Sequence, residues 1–396
     1  MKSKNKKTKK SAIIANKSKQ MTLNFQDTDE VQFIIAGFGK VIIDWGDGSL
    51  DETQILSSDH GYTESCWHLF PDKSDYTVII NGENIKYFEC SKLKLVSFDV
   101  CKNSTLTNLK LVNCNITRLD LSNNKALEKL RCYGNQITCL DVSKNTALTW
   151  LDCNRNHLTS LDVSKNSVLT NLNCSENYLT CLDMKKNNVL ELLYCDENQL
   201  STEALNNLFR TLPFVKKGEL YIDKNPGTEA CDINIAKSKG WKMLNTMTMN
   251  VHGSGEVIIQ MAGYDWINIA WGDIRGYMFG FLSDDFVEYS HIYTEDTDHS
   301  ITIIGENITH LYCGNNSISA LDVSKNPALE ELGCYENQIT HLDVSKNTEL
   351  KKLECWSNQL TTLDVSNNTL LTELNCRNNP LKNLNVGNND TLKIIR

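Results

Sequence analysis

Proline is rare, five in 396 residues, and no apolar run approaches the roughly 18 residues that a membrane-spanning helix needs. The chain is therefore expected to carry no transmembrane segment. Its 15 cysteines include no C-x-x-C pair, which argues against a zinc site. The eight histidines are scattered, with no serine, cysteine or carboxylate at a triad spacing, and no phosphate loop occurs. Neither paired carboxylates nor any other catalytic constellation is evident, so the expectation is a non-enzyme without cofactor or metal.

Charge is unevenly spread. Residues 1–20 hold eight lysines and no acid, and removing them from the net −9 leaves −17 on residues 21–396. An acidic body lacks the clustered Lys and Arg that phosphates require, so no nucleic-acid partner is expected. The basic tail can at most touch anionic surfaces weakly. Only Ala12 to Ala15 are apolar within it, too short for the core of a signal peptide. Composition is otherwise that of a folded chain, 40% hydrophobic and 22% charged.

Asparagine recurs at a fixed interval. From Leu127 the chain reads LEKLRCYGNQITCLDVSKNTA, LTWLDCNRNHLTSLDVSKNSV and LTNLNCSENYLTCLDMKKNNV, a period of 21 residues. Cys90, Cys132, Cys153, Cys174 and Cys195 keep this register, with Leu111 substituting once, and Cys313, Cys334, Cys355 and Cys376 repeat it. The unit L-x-x-L-x-C-x-x-N-x-L-x-x-L-D-V-S-x-N resembles the bacterial leucine-rich repeat, over about half of the chain. The resemblance implies two solenoids of short parallel strands, in which each coil buries its apolar residues only against its neighbours.

Within a unit, L-x-C alternates as a strand, pointing Leu130 and Cys132 inward and Lys129, Arg131 and Tyr133 outward. A free cysteine in the inward column acts as a small hydrophobe. Parallel stacking does not readily present a disulfide torsion, and Cys139 and Cys181 lie two coils apart. The LDVSKN half is too short for a helix and is expected to be irregular or 3₁₀-like. Asn135, Asn156, Asn177, Asn198, Asn316, Asn337, Asn358 and Asn379 form one ladder whose amides bond neighbouring loops. A second column, including Asn145, Asn166, Asn326 and Asn347, and the aspartates Asp141, Asp162, Asp322 and Asp343 read as structural as well.

After Asn198 the pattern changes. Ser201, Glu203 and the helical spacing of STEALNNLFRTL predict a helix over 201–212, and TEACDINIAKSKGW a second over 228–239 with Gly240 past its end. Before each stack lies a related β-rich segment: Met21-Thr22-Leu23 matches Met247-Thr248-Met249, Ile43-Asp44-Trp45-Gly46-Asp47-Gly48 matches Ile269-Ala270-Trp271-Gly272-Asp273, and Gly82-Glu83-Asn84-Ile85 matches Gly305-Glu306-Asn307-Ile308. W-G-D-G with the steps His68-Leu69-Phe70 and His291-Ile292-Tyr293 is similar to PKD-like β-sandwiches. The second copy departs, reading Asp273-Ile274-Arg275 for Asp47-Gly48-Ser49. Ala270 in place of Asp44 makes the D-x-x-D segment a turn rather than a calcium site.

The resulting organisation is a mainly β repeat protein: a basic tail 1–20, a PKD-like module 21–82, a leucine-rich repeat stack 83–200, helical capping repeats 201–246, a second module 247–305 and a second stack 306–396. The combination resembles surface or secreted bacterial proteins, which implies a cell-surface or secreted location, while the missing signal peptide reads as an intracellular chain or as one whose start is mis-set or replaced. By strand register the concave faces display Tyr87, Lys129, Arg131, Tyr133, Trp150, Asp152 and Tyr194, then His310, Tyr312, Tyr335, Lys352, Glu354, Trp356 and Arg377. Aromatics and arginines are enriched in binding hot spots. These strips are therefore the expected site for a protein or glycan ligand, with a structural scaffold as the alternative. The second stack stops within a unit at Leu392–Arg396, an end expected to fray, to be covered by a partner or a second copy, or to have belonged to a longer chain.

Overall fold

The structure is a computed structural model that describes residues 19–49, 52–58, 64–272, 277–305 and 307–396. The stretch 1–18 and the positions Asp273, Ile274, Arg275 and Glu306 lie outside the described residues. The chain divides into two compact units, Met1–Met243 and Leu244–Arg396.

In the first unit the L-x-C segments form three-residue strands, Lys129–Arg131, Trp150–Asp152, Asn171–Asn173 and Leu192–Tyr194. They pair in parallel one repeat apart, with Leu130 beside Leu151 and Leu151 beside Leu172. Glu331–Gly333, Lys352–Glu354 and Glu373–Asn375 do the same in the second unit. All nine cysteines of the inward column are at most 1% exposed. Apolar burial contributes about 25 cal/mol per Å², so the Leu and Cys columns supply most of the force that holds coil to coil.

The first asparagine column satisfies the loops that this stacking buries. Asn156 donates from Nδ2 to the carbonyls of Cys132, Cys153 and Asn154 at 2.9, 3.1 and 3.0 Å, and its Oδ1 accepts from the Ile137 N–H at 3.0 Å. One side chain thus ties its own coil to the preceding one. The second column reaches backward, Asn145 donating to Leu121 and Asn124. The aspartates act within their own coil instead: Asp141 accepts from the Ser143 N–H at 2.8 Å, a local bond that favours a turn over a helix. Beyond the strand Leu95–Asp99, turns fill this side of the first stack, while the second has short strands at Ile318–Asp322, Thr362–Asp364 and Asn383–Asn385.

Helix α1, Thr202–Thr211, closes the first stack; the Ser201 hydroxyl accepts from the Ala204 N–H, and Leu205, Leu208 and Phe209 are buried. The helix expected over 228–239 is shorter, a 3₁₀ turn at Thr228–Ala230 followed by α2, Asn234–Lys237. Cys231 is extended between them, and the Asp232 carboxylate takes the Asn234 N–H that a continuous helix would use. Strands Gly218–Tyr221 and Trp241–Met243 extend the ladder.

The β-modules do not end where the repeats begin. Strand Gln20–Asp44 pairs antiparallel with Glu52–Ser58, Glu64–Ser91 and Leu95–Asp99. Glu64–Ser91 then pairs in parallel with Asn108–Val112 of the first coil. In the second unit two sheets do this work: Gly255–Gly263 pairs with Ile308–Tyr312 on one side of the coil, and Thr246–His252 with Ile318–Asp322 on the other. Each module therefore covers the apolar end of its own stack.

Candidate functional site

In the second unit the 21-residue register lines up three outward columns. His310, Glu331, Lys352 and Glu373 form one, Tyr312, Gly333, Glu354 and Asn375 the next. Gly314, Tyr335, Trp356 and Arg377 follow at the same interval. Tyr335 and Trp356 stack with centroids 4.8 Å apart and planes 2° apart, and Arg377 lies 5.0 Å over the other face of the indole. The Tyr335 ring rests on Gly314, where an added Cβ would come within 2.4 Å of Cε2. Gly333 leaves room for Tyr312 in the same way, at 2.3 Å from Cδ1. These glycines are needed for close approach, not for an unusual backbone.

Ion pairs and hydrogen bonds hold the rest of this face. Tyr312 donates to Glu331 at 2.7 Å, and Lys352 lies 5.9 Å from the Tyr312 ring and 3.5 Å from Glu354. Burial first, then the Glu331 carboxylate, raises the Tyr312 pKa, so its hydroxyl stays a donor. Phe286 meets His310 and Tyr312 edge-on at 5.5 and 5.4 Å. The register that selected His310 and Lys352 passes through Glu331, so spacing alone could have found it. Phe286 comes from the β-module and had no such signal.

The face of the first unit is less open than expected. Tyr87 is half-buried and donates to Glu89, which also pairs with Lys110 at 2.6 Å. Arg131 lies 5.2 Å over Trp150, Tyr133 is half-buried and Lys129 is exposed. Two expected surface residues are instead buried. Asp152, beside Arg131 in register, is 8% exposed. Burial pushes its pKa up to about 7, against the Asn154 N–H and the Arg131 charge. Tyr194 is 6% exposed because Tyr221 of the capping strand meets it edge-on at 6.1 Å.

Sequence reasoning missed the neighbouring pair Ser175 and Asp196. The Ser175 hydroxyl donates to the Asp196 carboxyl, and both are buried. Desolvation pushes Asp196 up to about 8, so at neutral pH it is largely a neutral acid. The two lie 21 residues apart, one repeat period, so the register that stacks one coil on the next could have found them.

At the Trp-Gly-Asp-Gly turn, His68 Nε2 lies 2.7 Å from Asp47 and its ring stacks on Trp45 at 4.6 Å. Burial raises the Asp47 pKa, but hydrogen bonds from Ser49 and His68 outweigh it and bring the carboxyl to about 2. The second module repeats the stack with Trp271 and His291 at 5.1 Å. Both read as local architecture. Among the described residues no helix is long and apolar enough to cross a membrane.

No family model and no curated protein matches the chain. Solved structures do overlap it. One is the functional domain of InlJ from Listeria monocytogenes, which includes a cysteine ladder: 26% identity and TM-score 0.34, over 79% of this chain and 55% of that one. A leucine-rich repeat protein of Leptospira interrogans overlaps at 17% identity and TM-score 0.34, over 75% and 74%. The internalin inlF of Listeria monocytogenes does so at 18% and 0.36, over 78% and 86%. This chain thus spans little more than half of the InlJ domain. At such TM-scores the overlaps bear no argument about ligands, and the reading of the molecule as a mainly β protein of leucine-rich coils rests on its own strands and ladders.

Proposed function

We propose that this chain is a non-enzymatic binding or adhesion protein at the cell surface or in the secreted fraction. Its ligand sits on the concave strips, and the PKD-like β-modules serve as caps and spacers. The observation that supports this reading is the pile Gly314–Tyr335–Trp356–Arg377, in which a large aromatic and cationic surface is held rigid in advance. Preorganised aromatic and arginine side chains lose little entropy on binding and dominate interface energetics. Within the pile the faces of both rings are already covered, so edges and polar tips are what a ligand meets. That favours a protein ligand over a sugar ring, which needs an open aromatic face to stack on.

The test is a panel of extracellular-matrix proteins and glycans presented to the purified full chain. A specific binder that weakens at least tenfold with Trp356→Ala and Tyr335→Ala together, in a protein that still melts normally, supports the site. Unchanged affinity in the double variant rejects it.

A second reading, a self-associating scaffold, draws on the last coil. Among the described residues its strands Asn383–Asn385 and Lys393–Ile395 each pair on one side only, and Ile394 and Ile395 are exposed. Light scattering separates the two readings, since the scaffold requires concentration-dependent assembly without added ligand.

A further inference from the structure

Cys114 stands apart from the inward cysteine column. Lying 21 residues before Asn135, it takes the asparagine position in the ladder of the first coil. Its thiol donates to the carbonyls of Cys90 at 3.5 Å and Val112 at 3.3 Å, as Asn135 donates to Leu111 and Tyr133 one coil later. A ladder residue reaches across to the preceding coil, and what it meets there is a second thiol. The Cys90 and Cys114 sulfurs are 3.5 Å apart, with the residues 1% and 0% exposed.

We propose that Cys90 and Cys114 are a site of disulfide formation, joining the last strand of the β-module to the first coil. Column cysteines in successive coils run parallel and cannot readily adopt the torsion of a disulfide. Cys90 and Cys114 come from different columns, a strand and the turn after a strand, so their side chains converge. Burial raises the Cys90 pKa well above that of an ordinary thiol, whereas the hydrogen bond from Cys90 lowers that of Cys114, which makes Cys114 the sulfur that ionises first.

The oxidant is a low-molecular-weight disulfide such as oxidised glutathione. The Cys114 thiolate attacks one of its sulfurs, forming a mixed disulfide and releasing one glutathione thiol. The Cys90 thiolate then attacks the Cys114 sulfur and releases the second. Two protein thiols give up two protons and two electrons, and one glutathione disulfide becomes two thiols. Both protein sulfurs are enclosed in the folded coil, so the exchange takes place while the chain folds or when the first coil opens.

Refolding the full chain in a glutathione redox buffer tests this, followed by denaturation, alkylation of free thiols, peptide mapping and a melting curve. The expected product is a Cys90–Cys114 cross-linked peptide, with the first unit melting several degrees higher than in the reduced protein. Cys114→Asn restores the ladder residue of the other coils and is expected to fold, to lose the cross-link and to show no rise in melting temperature on oxidation. Cys90→Ala is a second variant with the same expected loss. Full alkylation of both cysteines in the oxidised protein overturns the proposal. So does a cross-link from Cys90 to another cysteine, or an oxidative rise in melting temperature that persists in Cys114→Asn.

Discussion

Replacing Asp196 with asparagine is expected to stabilise the first unit at neutral pH, although it removes an acid from an acidic protein. An unfolded aspartate titrates near ~3.9, whereas Asp196 in the folded chain titrates at about 8 because burial disfavours its charge. Between those values the folded state holds a proton that the unfolded chain has released, so stability falls as pH rises through the window. Below pH ~4 both states are protonated and the contribution to stability is fully present; by pH 8 it is lost. Each tenfold difference in proton affinity is worth about 1.4 kcal/mol, which makes the loss on the order of 5 kcal/mol. Asp152, at about 7, adds in the same direction over a narrower window. Asp47, at about 2, has the opposite sign and contributes stability that is lost only as pH falls below ~4.

Asparagine is uncharged at every pH, nearly the same shape, and keeps an oxygen for the Ser175 hydroxyl. Urea melts at pH 5 and pH 8 provide the assay. The wild-type midpoint for the first unit should fall by on the order of 1 M, given slopes of a few kcal/mol per M. Asp196→Asn should remove most of that fall and melt later than wild type at pH 8. A variant with the wild-type pH slope, or one less stable than wild type at pH 8, refutes the assignment of a buried neutral acid.

Cys153→Ser should cost about 1–3 kcal/mol by burying a hydroxyl without a partner, and Cys153→Ala less; rapid labelling of native Cys153 by a thiol reagent would show that the column is open. Asn156→Ala strips bonding partners from Cys132, Cys153, Asn154 and Ile137 together, and a loss of more than about 2 kcal/mol in a urea melt is expected. Gly333→Ala should push the Tyr312 ring off its ledge and weaken ligand binding with little effect on melting; an unmoved ring in the variant's structure contradicts this. Hydrogen exchange should be faster at the coil of Cys376 than at that of Cys153, and equal protection in a monomer means that the exposed terminal strands are held by contacts other than those seen.

What the sequence determined by itself is everything that is periodic or local. The 21-residue spacing identifies coils because each coil has to bury the same positions against its neighbours, and the cysteine and asparagine columns follow from that one constraint. Helix α1 was legible for a different reason: Ser201 and Pro213 mark its ends within the chain itself. Outward columns could be counted from the register, but exposure could not, because it depends on what stands beside a side chain. Asp152 and Tyr194 are outward in register and buried in fact, one beside Arg131, the other against Tyr221 of a capping strand 27 residues away. Only the tertiary structure decided that Glu64–Ser91 runs from module into coil, that glycines seat Tyr335 and Tyr312 on one face, and that Cys114 meets Cys90. The repeat aligns the glycines with the tyrosines and Cys114 with the ladder, but which side chains touch is set only when one coil closes on the next.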